Sequence, residues 1–239
     1  MSRILVTGGA GFIGSHTCLA LLQRGYKVSV IDSLVNSSLE SLNRVYELSI
    51  LENKNVQEID FIKVDLRDEE LLDKIFKDHS KKGEEIAAVI HFAGLKSVSE
   101  SINKPLLYWD VNVNGTISLL KVMSRNNCNT IVFSSSATIY GHSNAKTIKE
   151  DSSIEPINPY GENKATIEKL LKDISNNPST NWRIANLRYF NPIGAHKSGI
   201  IGENPISTPN NIFPIINQVA AGKIKELQIF GNDWETKDG

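Results

Sequence analysis

Cysteine is scarce: the chain of 239 residues has two, Cys18 and Cys128. Two thiols this far apart cannot build the framework of a small disulfide-stapled domain, and they lack the paired spacing of a zinc site. A reducing compartment, the cytoplasm, is therefore expected. Charge of one sign is equally short, since 26 basic side chains meet 27 acidic ones. With no basic excess to neutralise phosphates, the term that drives sequence-independent DNA or RNA binding is missing, and nucleic acid is a poor candidate partner. No stretch approaches the roughly 18 apolar residues of a membrane helix. The start, Met1-Ser-Arg-Ile-Leu-Val-Thr-Gly-Gly, passes from a short apolar run straight into glycine, without the core or cleavage site of a signal peptide. His16, His79, His91, His142 and His196 fall in separate predicted elements without the close spacing of a ligand pair, so no metal site is expected.

Against these shortages, 40% of the residues are hydrophobic and 22% charged, the balance of an ordinary globular protein. Short β-branched runs alternate with longer helical patterns. Strands are predicted over Arg3–Thr7, Lys27–Ile31, Asp60–Val64, Ala88–Phe92, Thr130–Ser134 and Arg183–Leu187, each continuously apolar as befits strands covered on both faces. Helices are predicted over Phe12–Arg24, Leu39–Leu51, Glu69–His79, Pro105–Asn126 and Pro159–Ser175. Asp68 caps the third of these, and Asn158 the last, with Pro159 at its first position. The rhythm implies an α/β fold with a doubly wound parallel sheet of the Rossmann type. Gly141–Asn158 is too long and polar for a standard connection and reads as a lid or binding loop. Beyond Asn191 the rhythm breaks, so residues 1–190 are expected to form a dinucleotide-binding domain and 191–239 the start of a smaller substrate domain. That second region should hold a helix over Ile212–Ala221 and a strand over Glu226–Phe230. The ending at Lys237-Asp-Gly, with no closing element, looks cut.

Thr7-Gly-Gly-Ala-Gly-Phe-Ile-Gly14 follows the first strand and opens the first helix. Gly8 and Gly11 permit a tight turn and the approach of a pyrophosphate, Gly14 lets helix and strand pack, and the helix N-terminus supplies N–H groups and positive potential. Asp32 ends the second strand at the distance where an acidic side chain receives the adenosine ribose hydroxyls, and no arginine follows it, which favours NAD over NADP. Asp65 and Leu66 end the third strand at the height of an adenine, although Asp65 reads equally well as a helix cap. Gly94, in His91-Phe-Ala-Gly-Leu-Lys96, allows backbone to pass close to a cofactor. Lys96 is either a cleft residue or a solvated loop lysine.

Tyr160-Gly-Glu-Asn-Lys164 stacks a phenol and an ammonium one helical turn apart. Ser134-Ser-Ser-Ala-Thr138 closes the fifth strand, so both groups converge on the carboxyl edge of the sheet, where ligands bind in such folds. An unperturbed phenol has a pKa of about 10, and acting as a base near neutrality requires roughly 4 kcal/mol of preferential tyrosinate stabilisation. Lys164, the helix N-terminus and a nicotinamide cation could contribute, with a serine hydroxyl relaying the proton. Trp109 and Trp182 read as packing groups.

Together with Leu187-Arg-Tyr-Phe-Asn-Pro-Ile-Gly-Ala-His196, these segments resemble the extended short-chain dehydrogenases/reductases, and within them the UDP-glucose 4-epimerase family, over essentially the whole chain. The resemblance implies NAD-dependent epimerisation at C4 of UDP-glucose and UDP-galactose through a 4-keto sugar, in galactose metabolism, by a homodimer. It implies that Gly11, Phe12, Ile13, Asp32, Ser33, Asn36 and Ser37 hold the pyrophosphate and ribose, Asp65 and Leu66 the adenine, and Phe92, Ala93, Gly94 and Lys96 the nicotinamide half. Tyr160 would be base and acid, Lys164 would bind the nicotinamide ribose, Ser136 would contact substrate O4, and Phe190 would lie by the nicotinamide. Asn191, Asn211, Gln228, Ile229 and Phe230 would meet the UDP-sugar, to which Lys96 is also assigned. Val111 stands where some relatives carry a cofactor-contacting asparagine, which leaves Asn112 as the candidate. The resemblance implies further strands and helices past Asn232-Asp-x-x-Thr-x-Asp-Gly239, bearing an arginine pair for the pyrophosphate, so the chain itself is expected to bind cofactor without turning over sugar. A related 4,6-dehydratase would need a further carboxylate beside the serine, where Ala137 and Thr138 stand.

Overall fold

The computed structural model describes residues 2–52, 58–142, 147–205, 209, 211–229, 231–233 and 237. The strands are β1 (Arg3–Thr7), β2 (Lys27–Asp32), β3 (Asp60–Lys63), β4 (Ile86–His91), β5 (Thr130–Ser136) and β6 (Arg183–Tyr189). They form one sheet in the order β3-β2-β1-β4-β5-β6, and every neighbouring pair is parallel. The order reverses between β1 and β4, which opens a crevice at the carboxyl ends of those strands. The fold is the doubly wound α/β Rossmann arrangement.

Alternate residues of each central strand serve opposite faces, so β1 feeds two cores at once. Ile4 and Val6 pack with Val28 and Val30 of β2, with Cys18, Leu19 and Leu22 of α1 (Phe12–Gln23), and with Leu42, Val45 and Leu48 of α2 (Glu40–Glu52). On the other face Leu5 and Ile31 join Leu72, Ile75 and Phe76 of α3 (Glu69–Lys81), together with Phe133 of β5. Each such buried Leu, Ile or Phe contributes about 1.5–3 kcal/mol by leaving water. β6 departs from the expected covered strand: at the sheet's edge, Ala185, Asn186 and Leu187 are exposed.

The predicted caps are in place. Asp68 Oδ1 accepts from Leu71 N at 3.0 Å, and Asn158 Oδ1 accepts from Gly161 N at 2.9 Å, each satisfying an orphan helix N–H for about 1 kcal/mol. The expected single helix over Pro105–Asn126 is instead three pieces. A short α5 (Pro105–Tyr108) leads into a π-helical turn (Trp109–Asn114) and then α6 (Gly115–Arg125). One more helix, α4 (Val98–Asn103), capped by Ser97, was not predicted. The widened turn brings Asn112 inside, where it is 2% exposed. Such turns concentrate at functional sites because they re-aim a side chain without ending the helix.

Two compact units divide after Gly202. The first runs past the expected change of region at Asn191 because Ile201 is buried in the core of α1 and α2. α7 (Pro159–Ser175) belongs to it. The second unit, Glu203–Gly239, holds α8 (Ile212–Ala220). The strand expected over Glu226–Phe230 is absent: Glu226–Ile229 are irregular and exposed, with no second strand among the described residues there to pair with, and Phe230 lies outside the described residues. No helix among the described residues is long and apolar enough to cross a membrane.

Candidate functional site at the carboxyl edge of the sheet

The glycines are placed where side chains do not fit. Gly8 has φ +68°, and a Cβ there would lie 2.6 Å from Ala93 N. A Cβ on Gly14 would overlap the Gly8 carbonyl oxygen. The turn after β1 is thus packed backbone to backbone against the end of β4. Gly11 occupies the N-cap of α1 and offers no side-chain cap, and no acidic residue stands in the first turn. The N–H groups at Phe12, Ile13 and Gly14 lack intrahelical acceptors and face the crevice end of the helix, the arrangement that receives a phosphate.

Asp32 closes the adjacent corner. Its carboxylate accepts from Ala10 N (3.1 Å), Leu34 N (2.9 Å) and Ser37 Oγ (2.8 Å), which shapes the turn from Ser33 through the exposed Asn36 to the buried Ser37. Leu34 is held at φ +58° by this turn. A carboxylate offers about four lone-pair sites, so acceptor capacity remains for one more donor. Asp65 does not cap the helix. The helix cap is Asp68, and Asp65 instead grips Arg67 at 2.9 and 2.6 Å, with Arg67 reaching on to Asp110 at 2.6 Å. The guanidinium keeps the Asp65 carboxyl below its usual range. Leu66 beside it is buried, under Gly115.

At the other end of the crevice, the Phe92–Lys96 loop is fastened by Asn112, whose Oδ1 accepts from Leu95 N (2.8 Å) and whose Nδ2 donates to Leu95 O (3.0 Å). Gly94, at φ +150°, leaves room for that amide. Lys96 is exposed on the loop.

Ser136 is the last residue of β5. Its Oγ accepts from Thr138 N (3.2 Å) and Thr138 Oγ1 (2.9 Å), which leaves its hydrogen for the phenol oxygen of Tyr160. That bond lowers the phenol pKa, but burial outweighs it, and the net effect holds Tyr160 above the ordinary value. The near-neutral phenol expected from sequence is therefore not produced by these neighbours alone, because desolvation of a tyrosinate costs more than one hydrogen bond returns. Lys164 is buried, donates to Ser134 O at 2.7 Å, and lies 4.7 Å over the Phe133 ring and 5.8 Å from the Tyr160 ring centroid. Its burial lowers its pKa to about 8, with no carboxylate partner among the described residues.

Two further groups hold this constellation and were not singled out from sequence. Arg188 of β6 forks onto Glu168 of α7 (3.0 and 2.7 Å), and also donates to Tyr140 Oη (2.8 Å) and Glu150 O (2.6 Å). It pins the helix bearing Tyr160 and Lys164 to the sheet. His91 is the other, between Thr7 and Thr116. Neither carries a spacing signal, since each partner comes from a distant part of the chain. Phe190 and Asn191 are exposed beyond β6, with the Phe190 ring 6.5 Å from that of Tyr140. Asn211, Gln228 and Ile229 belong to the second unit, where Asn211 Nδ2 donates to Glu203 Oε1 at 2.7 Å.

A family model described as GDP-mannose 4,6 dehydratase matches residues 5–239. UDP-glucose 4-epimerase 1 of Oryza sativa subsp. japonica is 51% identical over the whole chain, and UDP-glucose 4-epimerase of Bacillus subtilis (strain 168) is 49% identical over 99% of it. The chain spans 65% of the length of the rice relative and 66% of the Bacillus one. Among solved structures, the UDP-glucose 4-epimerase of Stenotrophomonas maltophila, with NAD and formylated UDP-arabinopyranose, superposes with a TM-score of 0.91 at 42% identity, covering all of this chain and 67% of that one. The Bifidobacterium longum enzyme, with NAD+ and UDP, gives 0.90 at 43% identity over 99% of this chain and 68% of its own.

Lys164 has a stability signature. Its folded pKa lies below the unfolded 10.5, so the native state binds fewer protons between pH 8 and 10.5, and stability from this group rises with pH across that window. Below pH 8 the penalty of the buried ammonium is fully present. Lys164→Met is expected to be at least as stable as the native chain at pH 7 in urea denaturation, with its advantage shrinking toward pH 10. A variant clearly less stable at pH 7 would contradict this description of the lysine.

Proposed function

The chain belongs to the GDP-mannose 4,6 dehydratase family, and on that premise we propose that its function is NAD-dependent epimerisation at C4 of UDP-glucose and UDP-galactose. The observation that carries the reading is the Ser136–Tyr160–Lys164 group, set at the same sheet edge as the glycine turn and Asp32. The names of the relatives support the same substrate class.

The residues present fit a dinucleotide. The glycine turn lets the backbone pack tightly beneath the N-terminus of α1, where the free N–H groups can receive a pyrophosphate, and Asp32 keeps an acceptor for a ribose hydroxyl while repelling a 2′-phosphate. NAD, when bound, supplies the carbon that takes a hydride from C4 of the sugar and returns it. Asp65 and Leu66 would line the adenine, and Phe92, Ala93, Gly94, Lys96, Asn112 and Phe190 the nicotinamide half.

The chain's own residues handle the proton. Tyr160 Oη takes the proton of the sugar O4 hydroxyl and later gives it back, while Ser136 Oγ, donating to the phenol oxygen, stabilises the charged form. Because burial alone raises the phenol pKa, the working base requires positive potential, and Lys164 lies one turn away with its ammonium toward the ring. Asn191, Asn211, Gln228, Ile229 and Phe230 would contact the UDP-sugar, with Lys96. A role in galactose metabolism, a cytoplasmic location and pairing of two copies follow from the same reading. A 4,6-dehydration would also have to remove a proton at C5 and protonate the leaving oxygen at C6, and the neighbours of Ser136 are Ala137 and Thr138, the latter a hydroxyl already donating to Ser136.

Calorimetric titration is expected to show tighter binding of NAD than of NADP. Equal affinity, or a preference for NADP, would contradict the role given to Asp32. In an active protein, Tyr160→Phe should lower conversion of UDP-galactose to UDP-glucose by about 10²- to 10⁴-fold with NAD affinity nearly unchanged. Near-native turnover in that variant would show that the base is another group.

A further inference from the structure

His91 ends β4 with 1% of its surface exposed, and both ring nitrogens are engaged. Nδ1 lies 2.6 Å from Thr7 Oγ1, and Nε2 lies 2.9 Å from Thr116 Oγ1. The hydrogens in this chain can be assigned from groups that have only one role. The backbone carbonyl of Asn112 can only accept, so Thr116 Oγ1, 2.5 Å away, donates to it. The Thr116 oxygen is then the acceptor for His91, which puts the imidazole hydrogen on Nε2. At the other end Ala93 N donates to Thr7 Oγ1 at 3.2 Å, leaving the Thr7 hydrogen for the bare Nδ1. Every hydrogen has one acceptor. The opposite tautomer would turn the Thr116 hydrogen toward the ring and take it from the buried Asn112 carbonyl.

This chain ends on the backbone of Asn112, whose side-chain amide sets the cleft loop. Asn112 holds both backbone groups of Leu95, at 2.8 and 3.0 Å. Thr7, His91, Thr116 and Asn112 are each no more than 2% exposed, so no water competes for these bonds. The charged form of the ring is disfavoured by the same surroundings. Lys164 is the neighbouring charge, across the Phe133 ring that His91 packs against at 5.6 Å, and its ammonium opposes a second cation.

We propose that His91, as its Nε2–H tautomer, is a positioning residue that fixes the Phe92–Lys96 loop, and with it the nicotinamide end of the cleft, through the ordered chain from Thr7 to Asn112. This rests on the cofactor reading given above. The ring touches neither sugar nor cofactor and acts through Asn112.

Two measurements test it. Nitrogen-15 NMR of the histidine-labelled native chain should show His91 neutral, protonated on Nε2 and not titrating between pH 7.5 and 5. A proton on Nδ1, or titration in that range, would overturn the assignment. Calorimetry then compares NAD with ADP-ribose, which lacks the nicotinamide, for Thr116→Val and His91→Gln. Stranding buried partners in the chain should weaken NAD binding about 10- to 100-fold. ADP-ribose affinity should stay within about threefold, a split that general loss of structure would not give. Equal losses for both ligands would overturn the positioning role while leaving the cofactor reading intact. A native chain that binds neither would remove the cofactor reading and the positioning role together. If either variant fails to fold, the tautomer of the native chain still decides the hydrogen-bond order.

Discussion

Everything at the carboxyl edge depends on one backbone-to-backbone approach, that of Gly8 to Phe92 and Ala93. The contact leaves no space for a Cβ, so β1 and β4 end in register and α1 starts directly over the crevice. With the turn held there, Ala10 N reaches Asp32 on β2, and Thr7 reaches His91 on β4. A methyl group at Gly8 would push these apart at their common point. The two cores on either side of β1 supply the rigidity that makes the approach permanent, since β1 is buried along its whole length.

The opposite end of the crevice is organised by the cost of burying charge. Lys164 sits in the interior without a carboxylate partner among the described residues, satisfied by a carbonyl and an aromatic face. Packing alone would favour an apolar side chain at that position, so the buried ammonium is a stability cost that the chemistry proposed for Lys164 would account for. Tyr160 shares the dry setting, and burial holds its phenol above the ordinary value. Arg188 and Glu168 use the reverse arrangement, a largely buried pair with matched geometry, and they fix α7 against β6 so that phenol, ammonium and Ser136 keep their spacing.

Features with local causes were legible in the sequence. The six strands, the span of α7 with Asn158 and Pro159 at its start, and the glycine turn each follow from a run, a cap or a spacing within a few residues. The π-helical turn was not legible, because Trp109–Asn114 reads as ordinary helix, and the turn exists to bury Asn112 against Leu95, residues far apart in the chain. Of the two readings of Asp65, the cap falls instead to Asp68, and the carboxylate is gripped by Arg67, a partner that capping patterns do not reveal. The strand expected over Glu226–Phe230 had no partner in view, and Glu226–Ile229 are irregular. His91 and Arg188 stayed silent in sequence for a common reason: each acts through partners brought in by the sheet.

The central claim is that one crevice orients a dinucleotide from Asp32 at one end to Tyr160 at the other. A crystal structure of the chain grown with NAD tests this most directly. The account predicts a ribose hydroxyl on the Asp32 carboxylate, the pyrophosphate at the N-terminus of α1, and the nicotinamide between the Phe92–Lys96 loop and Tyr160. Density for the nucleotide in the reverse direction, or bound away from the glycine turn, would contradict it.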